Sequence, residues 1–161
     1  MSATQPKNFN NATVNNFKFL MGKIPEVEYF CQSVNIPSIT LGEAIQATPI
    51  LDRPLPGDKL TYGEMSIEFI IDEEFRSWEA LHNWMVSIGK PVSTNQYDFD
   101  GQFTDATLIL TTNNSNPLME IRFIDIYPTS LGDLNFTTQG NADPLIGDAS
   151  FRFRGYEINR L

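Results

Sequence analysis

The sequence has little of the chemistry that enzymes and metal proteins use. One cysteine and one histidine occur among its 161 residues. Cys31 alone can form neither an intrachain disulfide nor a cysteine-based zinc site. His82 falls inside a predicted helix, three residues after Glu79, and we interpret it as a helix-surface residue rather than as a general base.

Recognisable catalytic and metal-binding motifs are also missing. The HExxH, GxSxG and P-loop patterns do not occur. Asp98, Asp100 and Gly101 faintly resemble part of a calcium loop, but the remaining ligand positions and the closing glutamate are absent. We therefore predict no catalytic residue, no bound metal and no cofactor.

Basic residues are scarce, with 11 Lys and Arg against 20 Asp and Glu and a net charge of −9. Because affinity for phosphate backbones comes mainly from Lys and Arg, this balance argues against a nucleic-acid-binding surface, although not against a surface that nucleic acid passes without adhering. No apolar run approaches the roughly 20 residues of a membrane span. The polar first residues lack the apolar centre of a signal peptide, so we expect no membrane anchor and folding in a cytoplasm.

The remaining composition is that of a folded domain, with 41% hydrophobic and 19% charged residues. A chain of this size can bury roughly two thirds of its unfolded surface in one core. We predict a flexible arm over residues 1–13, which are rich in Asn and Thr. Residues 14–161 are predicted to form a single domain.

Aromatic and β-branched residues predict about seven strands. They cover residues 17–21, 27–36, 39–51, 65–72, 105–112, 118–128 and 149–158. Residues 128–134 are interpreted as a short turn, with one helical turn as the alternative. Strands and helices do not alternate, so we expect mainly antiparallel sheets. The segment 27–36 carries apolar residues on both faces, and we predict that a neighbouring subunit covers one of them.

One helix is predicted, over residues 73–88. Asp72 is its predicted N-cap, Gly89 follows its end and Pro91 prevents continuation. An apolar stripe spaced by three or four residues predicts its core face, and consists of Phe75, Trp78, Leu81, Met85 and Ile88. The fold class is therefore mainly β, with one helix packed on a sheet.

A long segment, residues 38–62, separates two of the predicted strands and contains several prolines. Pro54 and Pro56 each remove a backbone donor and hold the preceding residue extended. Pro56, Gly57 and Asp58 together predict a turn. Long irregular segments are uncommon in compact domains unless they are functional, so we predict a hairpin or arm with a role outside the core.

Two arginines in the predicted last strand, Arg152 and Arg154, share one face, while Phe151 and Phe153 share the other. A contact to another subunit and an ordinary solvated face are both open interpretations. Alternating Arg and Phe on one strand of an acidic protein make a poor nucleic-acid site.

The order of the segments resembles the tail tube proteins of T4-like contractile phages. The pieces that carry the likeness are NNFKFLMGKIPEVEYFCQSVNIPSITLGEA, MSIEFIIDEEFRSWEALHNWM, IYPTSLGDLNF and SFRFRGYEI. The likeness of these pieces covers residues 15 to 161. Their order and spacing carry the resemblance, because none of the pieces is a strict motif.

The resemblance implies two packed antiparallel sheets with one flanking α-helix. It also implies homohexameric rings that stack inside a contractile sheath, with each subunit adding strands to one barrel around a lumen. Genomic DNA would pass through that lumen without specific binding. The implied partners are the sheath, baseplate and tail-terminator proteins, and the implied location is the virion tail, after synthesis in the host bacterial cytoplasm. By this analogy the arm mediates ring stacking, through Leu51, Arg53, Pro54, Leu55, Pro56, Gly57, Asp58 and Lys59.

Other functions remain open at this stage. A baseplate tube initiator or a secretion-system tube protein would share the same fold. A small enzyme or ligand-binding β-barrel is the alternative from another class, with Trp84, Tyr97 and Phe99 as candidate pocket residues. The missing acid–base residues argue against it.

Overall fold

The computed structural model describes residues 9–89 and 100–161. The strands are β1 (Phe17–Met21), β2 (Cys31–Val34), β3 (Ile39–Gln46), β4 (Arg53–Tyr62), β5 (Met65–Ile70), β6 (Thr104–Thr111), β7 (Pro117–Leu131), β8 (Ile146–Arg152) and β9 (Gly155–Arg160). The helices are α1 (Pro25–Phe30) and α2 (Arg76–Gly89), and a 3-10 turn spans Asp100–Gln102. Residues 1–8 of the predicted arm lie outside the described residues, as do Pro91, Tyr97, Asp98 and Phe99.

Two antiparallel sheets make up the body of the domain, which confirms the predicted fold class. Sheet A consists of β1, β6, the first part of β7 and β9. Sheet B consists of β2, β5, β8 and the last part of β7. Among the described strands, β3 and β4 pair only with each other and form a separate hairpin.

The long strand β7 belongs to both sheets because a bulge bends it. Thr104 pairs with Ile126 but Ala106 pairs with Phe123, so β7 carries one extra residue there. Asp125 at this bulge has a φ of 53°, a conformation that Asp tolerates better than most residues. The prediction of a turn at residues 128–134 is therefore wrong, since β7 continues to Leu131 in sheet B.

The last predicted strand is also two strands. β8 pairs with β5 and β7 in sheet B, whereas β9 pairs with β7 in sheet A. The chain changes sheets at Phe153 and Arg154, where the Arg154 N–H donates to the carbonyl of Ile124 at 3.0 Å. The apolar positions change from odd at Phe151 and Phe153 to even at Tyr156 and Ile158, so the break coincides with a change of phase in the alternation.

The predicted strand at residues 27–36 begins as a helix. Pro25 occupies the first turn of α1 together with Glu26 and Glu28, which suits a helix start and its dipole. Ile24 and Val27, three residues apart, are both buried. β2 begins only at Cys31, and Val27 is covered within its own chain rather than by a neighbouring subunit.

The helix α2 starts three residues later than predicted, and it buries Ser77 and Trp84 in addition to Leu81 of the predicted stripe. The Phe75 N–H donates to the carbonyl of Asp72, Phe75 has a φ of 57°, and helical geometry begins at Arg76. The Asp72 carboxylate still accepts from the Arg76 N–H at 3.4 Å and the Ser77 hydroxyl at 3.3 Å. The buried residues of α2 are Ser77, Leu81 and Trp84. Of the predicted core face, Leu81 is buried, Phe75, Trp78 and Ile88 are partly buried against the core, and Met85 is half-buried.

The core fills the space between the inner faces of the two sheets. In sheet A, Phe19, Leu108 and Ile121 form one cross-strand row, and all three are at most 1% exposed. In sheet B, Met65 and Phe151 are paired and fully buried. Each such side chain contributes roughly 1.5–3 kcal/mol of burial free energy. Leu81 and Trp84 of α2 close one side of this core.

Candidate assembly surfaces

The hairpin of β3 and β4 buries little surface within its own chain. All eight residues of β3 are exposed, and so are eight of the ten in β4. Its exposed apolar residues are Ile39, Leu41, Ile45, Ile50, Leu51, Leu55 and Leu60, with exposures from 37% to 95%. A two-stranded hairpin alone is marginally stable in water, and the described part of the chain leaves most of this surface uncovered.

All eight residues predicted for the stacking arm lie on this hairpin, and seven of them are consecutive in β4. Leu51 lies in the connection between the two strands. The turn predicted at Pro56, Gly57 and Asp58 is wrong, because those residues are inside β4. The chain reverses between Gln46 and Arg53 instead.

A bulge in the pairing of β3 with β4 accommodates Pro56, the second proline of β4. Leu41 pairs with Leu60 and Glu43 pairs with Pro56, so Gly42 faces three residues of β4. A Cβ on Gly57 would lie 2.6 Å from the carbonyl oxygen of Gly42. Glycine at 57 is therefore required by this close approach of the two backbones.

The base of the hairpin is attached to sheet A by an aromatic cluster. The ring of Tyr62 lies 5.5 Å from that of Phe153 and 5.3 Å from that of Tyr156, between centroids. Phe123 joins the cluster from β7, 5.2 Å from Phe153. The Gly63 N–H donates to the carbonyl of Ser38 at 2.8 Å and closes the two strands at this point.

The free edges of the two sheets differ in regularity. The edge strands of sheet A, β1 and β9, pair with their neighbours over five and six residues without a register shift. The edge strand β2 of sheet B is bulged between Cys31 and Ser33. The other edge of sheet B, the last part of β7, is irregular between Pro128 and Ser130. Bulges and prolines protect an edge from further pairing, so sheet A is the better suited to continue into another chain.

The face of sheet A that points away from the core consists of two cross-strand rows. One row is Lys18, Ile109, Glu120 and Asn159, and the other is Leu20, Thr107, Arg122 and Glu157. None of these eight residues is buried. This open face is polar, mixed in charge and uncovered by the described part of the chain.

The cations of this open face are paired with carboxylates. Lys18 Nζ lies 2.9 Å from Glu28 Oε1, and Arg122 Nη2 lies 2.6 Å from Asp105 Oδ2. The hydrogen bond from Arg122 holds the pKa of Asp105 below its usual value, and the same bond raises the pKa of Arg122. Glu157 and Glu120 add to the negative potential around the guanidinium.

Part of the predicted core face of α2 lines an open groove. The groove has a volume of about 780 Å³ and lies between α2 and residues 131–136. Phe75, Trp78, Met85 and Leu134 contribute to its apolar wall. His82 is exposed there and stacks on Trp78, with centroids 5.4 Å apart. The indole N–H of Trp78 is buried and has no hydrogen-bond partner.

The two arginines considered for subunit contact form ion pairs within their own chain. Arg152 Nε lies 3.2 Å from Glu64 Oε1, and Arg154 Nη1 lies 3.2 Å from Asp125 Oδ2. Arg152 ends β8, while Arg154 lies in the crossover between the sheets, so the two do not share a strand. Both remain exposed.

The residues proposed for an enzyme pocket do not converge in the described structure. Trp84 is 6% exposed and donates its indole N–H to the carbonyl of Gln102 at 3.0 Å. Tyr97 and Phe99 lie outside the described residues. Within residues 9–89 and 100–161, no three His, Cys, Asp or Glu side chains cluster as metal ligands would. In the same ranges no helix has the length and hydrophobicity needed to cross a membrane.

The sequence model of one protein family, described as phage tail tube protein, matches residues 3–159. The chain belongs to the phage tail tube protein family. The predicted resemblance to tail tube proteins is thereby confirmed. The tail tube terminator protein of Enterobacteria phage T4 is 24% identical to this tail tube family member, over 99% of this chain and 96% of the T4 protein.

Solved structures share the fold of this tail tube family member. The anti-feeding prophage tube-terminating cap gives a TM-score of 0.72 at 14% identity and covers 100% of this chain and 99% of its own. The sheath–tube complex of the PVC extracellular contractile injection system gives 0.70 at 17% identity, covering 95% and 94%. Together with the family match, these relatives identify a tail tube or tube-terminator-like structural protein of a phage tail.

The sequence predicted the hairpin and the edge strand β1 of this tail tube family member, but not the separate edge strand β9 or the open face of sheet A. The edge β9 was hidden because residues 149–158 read as one strand. The charge pairs on the open face join residues far apart in sequence, such as Asp105 and Arg122. The alternation of Glu120, Arg122 and Ile124 with buried residues was the available signal for an exposed face.

Proposed function

We propose that this chain forms homohexameric rings that build or end the inner tube of a contractile phage tail, through which genomic DNA is delivered. Ring formation is supported by the two regular edge strands, β1 and β9, which lie at opposite sides of sheet A. If β9 of one copy pairs with β1 of the next, the four strands of each copy continue into a closed barrel. Closure of this kind removes every open edge of that sheet. Six copies are the number that the family resemblance implies.

The hairpin would connect neighbouring rings. Its exposed apolar residues, such as Ile45 and Leu60, gain cover when they pack on another subunit. Pro54 and Pro56 lower the conformational entropy that the hairpin loses on docking. Stacking thereby offsets the instability of a hairpin that residues 9–89 and 100–161 leave largely uncovered.

The ring has two candidate positions in the tail. The likeness to the T4 tube terminator over nearly the whole of both chains favours the single ring at the end of the tube. The fold of the tube in the PVC complex is equally compatible with a repeating ring. In either position the partners would be further copies of the ring, the sheath or its terminator, and the passing DNA, and the role would be structural rather than catalytic.

Assembly of the purified protein tests the proposal. Sedimentation and negative-stain electron microscopy should show rings of six. A repeating tube subunit should extend these rings into tubes of variable length, whereas a terminator should remain as single rings and number six copies per virion by quantitative mass spectrometry. A protein that stays monomeric in every condition, including with isolated tail tubes, would contradict ring formation.

Two proline substitutions at successive positions of β9 test the edge pairing. Successive N–H groups of a strand point to opposite sides. Of Glu157→Pro and Ile158→Pro, one therefore removes a bond to β7 and the other removes an outward donor of the free edge. The outward variant should keep its fold by circular dichroism but lose ring formation. If both variants fold and both form rings, β9 is not a ring contact.

A further inference from the structure

Ile158 in β9 is an apolar residue on the core side of sheet A that the described part of its chain leaves exposed. Cross-strand pairing places it in one row with Phe19, Leu108 and Ile121. Those three side chains are at most 1% exposed, whereas Ile158 is 56% exposed at the edge of the sheet. The row therefore ends in an uncovered apolar side chain.

The opposite edge of sheet A carries a pocket between β1 and the chain that covers it. Phe17 and Phe19 of β1 line this pocket together with Glu28 of α1 and Cys31 of β2, and its volume is about 450 Å³. We call it the edge pocket. Phe17 and Cys31 are only partly buried against the core, so an apolar side chain that entered the edge pocket would remove further apolar surface from water.

The two edges match each other in strand direction and in row. Neighbouring strands in the order β1, β6, β7, β9 are all antiparallel, so β9 of one copy would lie antiparallel to β1 of the next. Continuing the rows across this contact brings Ile158 level with Phe19 of the next copy. It brings Arg160 level with Phe17 of the next copy, since Arg160 lies in the row of Met119, Leu110 and Phe17.

Arg160 supplies a charge that complements the edge pocket. Its side chain is exposed and forms no ion pair within residues 9–89 and 100–161. Glu28 in the edge pocket is 32% exposed and lies 2.9 Å from Lys18 Nζ. A carboxylate has acceptor sites for more than one cation, so Glu28 can bind a guanidinium in addition to Lys18.

We propose that Ile158 of one copy fills the edge pocket of the next copy and that Arg160 binds Glu28 there. This contact fixes the register in which β9 pairs with β1. Backbone hydrogen bonds alone would permit several registers, and a slip by one residue would turn Ile158 to the opposite face of the sheet. The inference rests on the proposed ring, and it adds the side chains that determine how neighbouring copies align.

The variants Ile158→Asp and Leu118→Asp test the apolar contact as a matched pair. Both residues are exposed apolar residues of sheet A, at 56% and 45%, but Leu118 lies in β7, which is paired on both sides there. Both variants should keep the circular dichroism spectrum of the wild type. The protein concentration at which half of the chains sediment as rings should rise at least about tenfold for Ile158→Asp, because an unpaired charge would enter an apolar pocket. It should be unchanged for Leu118→Asp.

An exchange of charges tests the contact between Arg160 and Glu28. Arg160→Glu and Glu28→Arg each place like charges together, so each alone should raise the same concentration about fivefold or more at low salt. The double variant Glu28→Arg/Arg160→Glu should return to within about twofold of wild type, because opposite charges meet again. Arg160→Glu/Glu157→Arg is the control. It restores the net charge of β9 on the face away from the edge pocket, and it should not recover.

Two results would overturn the apolar contact. They are normal ring formation by Ile158→Asp and an equal loss in Leu118→Asp. If Ile158→Asp loses its fold, Ile158→Ala decides instead, and ring formation as strong as in wild type would refute the contact. The charge contact is refuted if the exchanged variant assembles no better than Arg160→Glu, or if the control recovers equally. Wild-type protein that forms no rings would overturn the ring proposal and this contact with it, whereas the other results leave the ring in place.

Discussion

The ring of Tyr62, the last residue of β4, packs edge-on against the ring of Tyr156 in β9, with centroids 5.3 Å apart and planes at 62°. This contact joins the hairpin to an edge strand of sheet A. One aromatic cluster therefore joins the hairpin, which we assign to ring stacking, to the edge strand β9, which we assign to ring closure.

Replacing Tyr62 by Ala should loosen the hairpin and weaken stacking. The ring contributes two aromatic contacts, each worth about 0.5–1.5 kcal/mol beyond area burial, so we expect the free energy of unfolding to fall by roughly 1–3 kcal/mol. Denaturant unfolding and limited proteolysis of the hairpin measure the two effects. Tyr62→Phe keeps the ring and should resemble wild type. Unchanged proteolysis of the Ala variant would show that the cluster does not hold the hairpin.

Replacing Gly57 by Ala should disturb the hairpin, whereas Gly42→Ala should not. A Cβ at 57 would lie 2.6 Å from the carbonyl oxygen of Gly42, but one at 42 would meet its nearest atom, the Lys59 carbonyl oxygen, at 3.6 Å. Since the hairpin lies outside the core, the melting temperature should change little in both variants. Ring stacking, followed by electron microscopy, should be impaired only by Gly57→Ala. Impairment by both to the same degree would contradict the role of the close approach.

Two substitutions in α2 distinguish the buried stripe from the exposed side of the helix. Leu81 is fully buried, so Leu81→Ala should reduce the free energy of unfolding by about 2–5 kcal/mol. Val86 is 40% exposed, and Val86→Ala should change the free energy of unfolding by less than about 0.5 kcal/mol. Urea unfolding of the two variants measures the difference. Equal losses would mean that α2 packs with a different face.

Cys31 should react slowly with thiol reagents in the folded protein. Burial raises the pKa of Cys31 to about 11, so its thiolate fraction at pH 8 is about a hundredfold lower than that of a thiol with the pKa of 9.0. The contribution of the neutral thiol to stability is full below pH 9 and is lost as the pH rises through 11.

The reaction rate with a disulfide reagent, measured with and without urea, checks this prediction. Unfolding should restore the ordinary rate. An exposed control is Asn113→Cys in a Cys31→Ser background, which should react at the ordinary rate in both conditions. A native Cys31 that reacts as fast as the unfolded one would contradict the effect of burial.

The strands with a single face in the core were predictable from periodicity. Met65, Ile67 and Phe69 alternate with polar residues, and all three are fully buried in β5. The hairpin was predictable because prolines, glycine and exposed charges in residues 38–62 fit no core element. Its stacking role remains a proposal.

The error at the last predicted strand concerns the point where a strand changes partners. The apolar positions are odd at Ala149, Phe151 and Phe153 and even at Tyr156 and Ile158, and this change of phase across Gly155 marks the division of hydrogen bonding between the two sheets. The predicted face of α2 omitted Trp84, which is buried with its ring 6.3 Å from that of Phe151, whereas Trp78 is only partly buried.

The sequence by itself determined the mainly β class, the acidic surface, the projecting arm and the family, because these depend on composition, local backbone preferences and the order of segments. The tertiary structure alone decided which sheet keeps regular edges and which charges meet on its open face. Those features arise from register and bulges, such as the one at Asp125, which are set by the pairing of residues far apart in the chain.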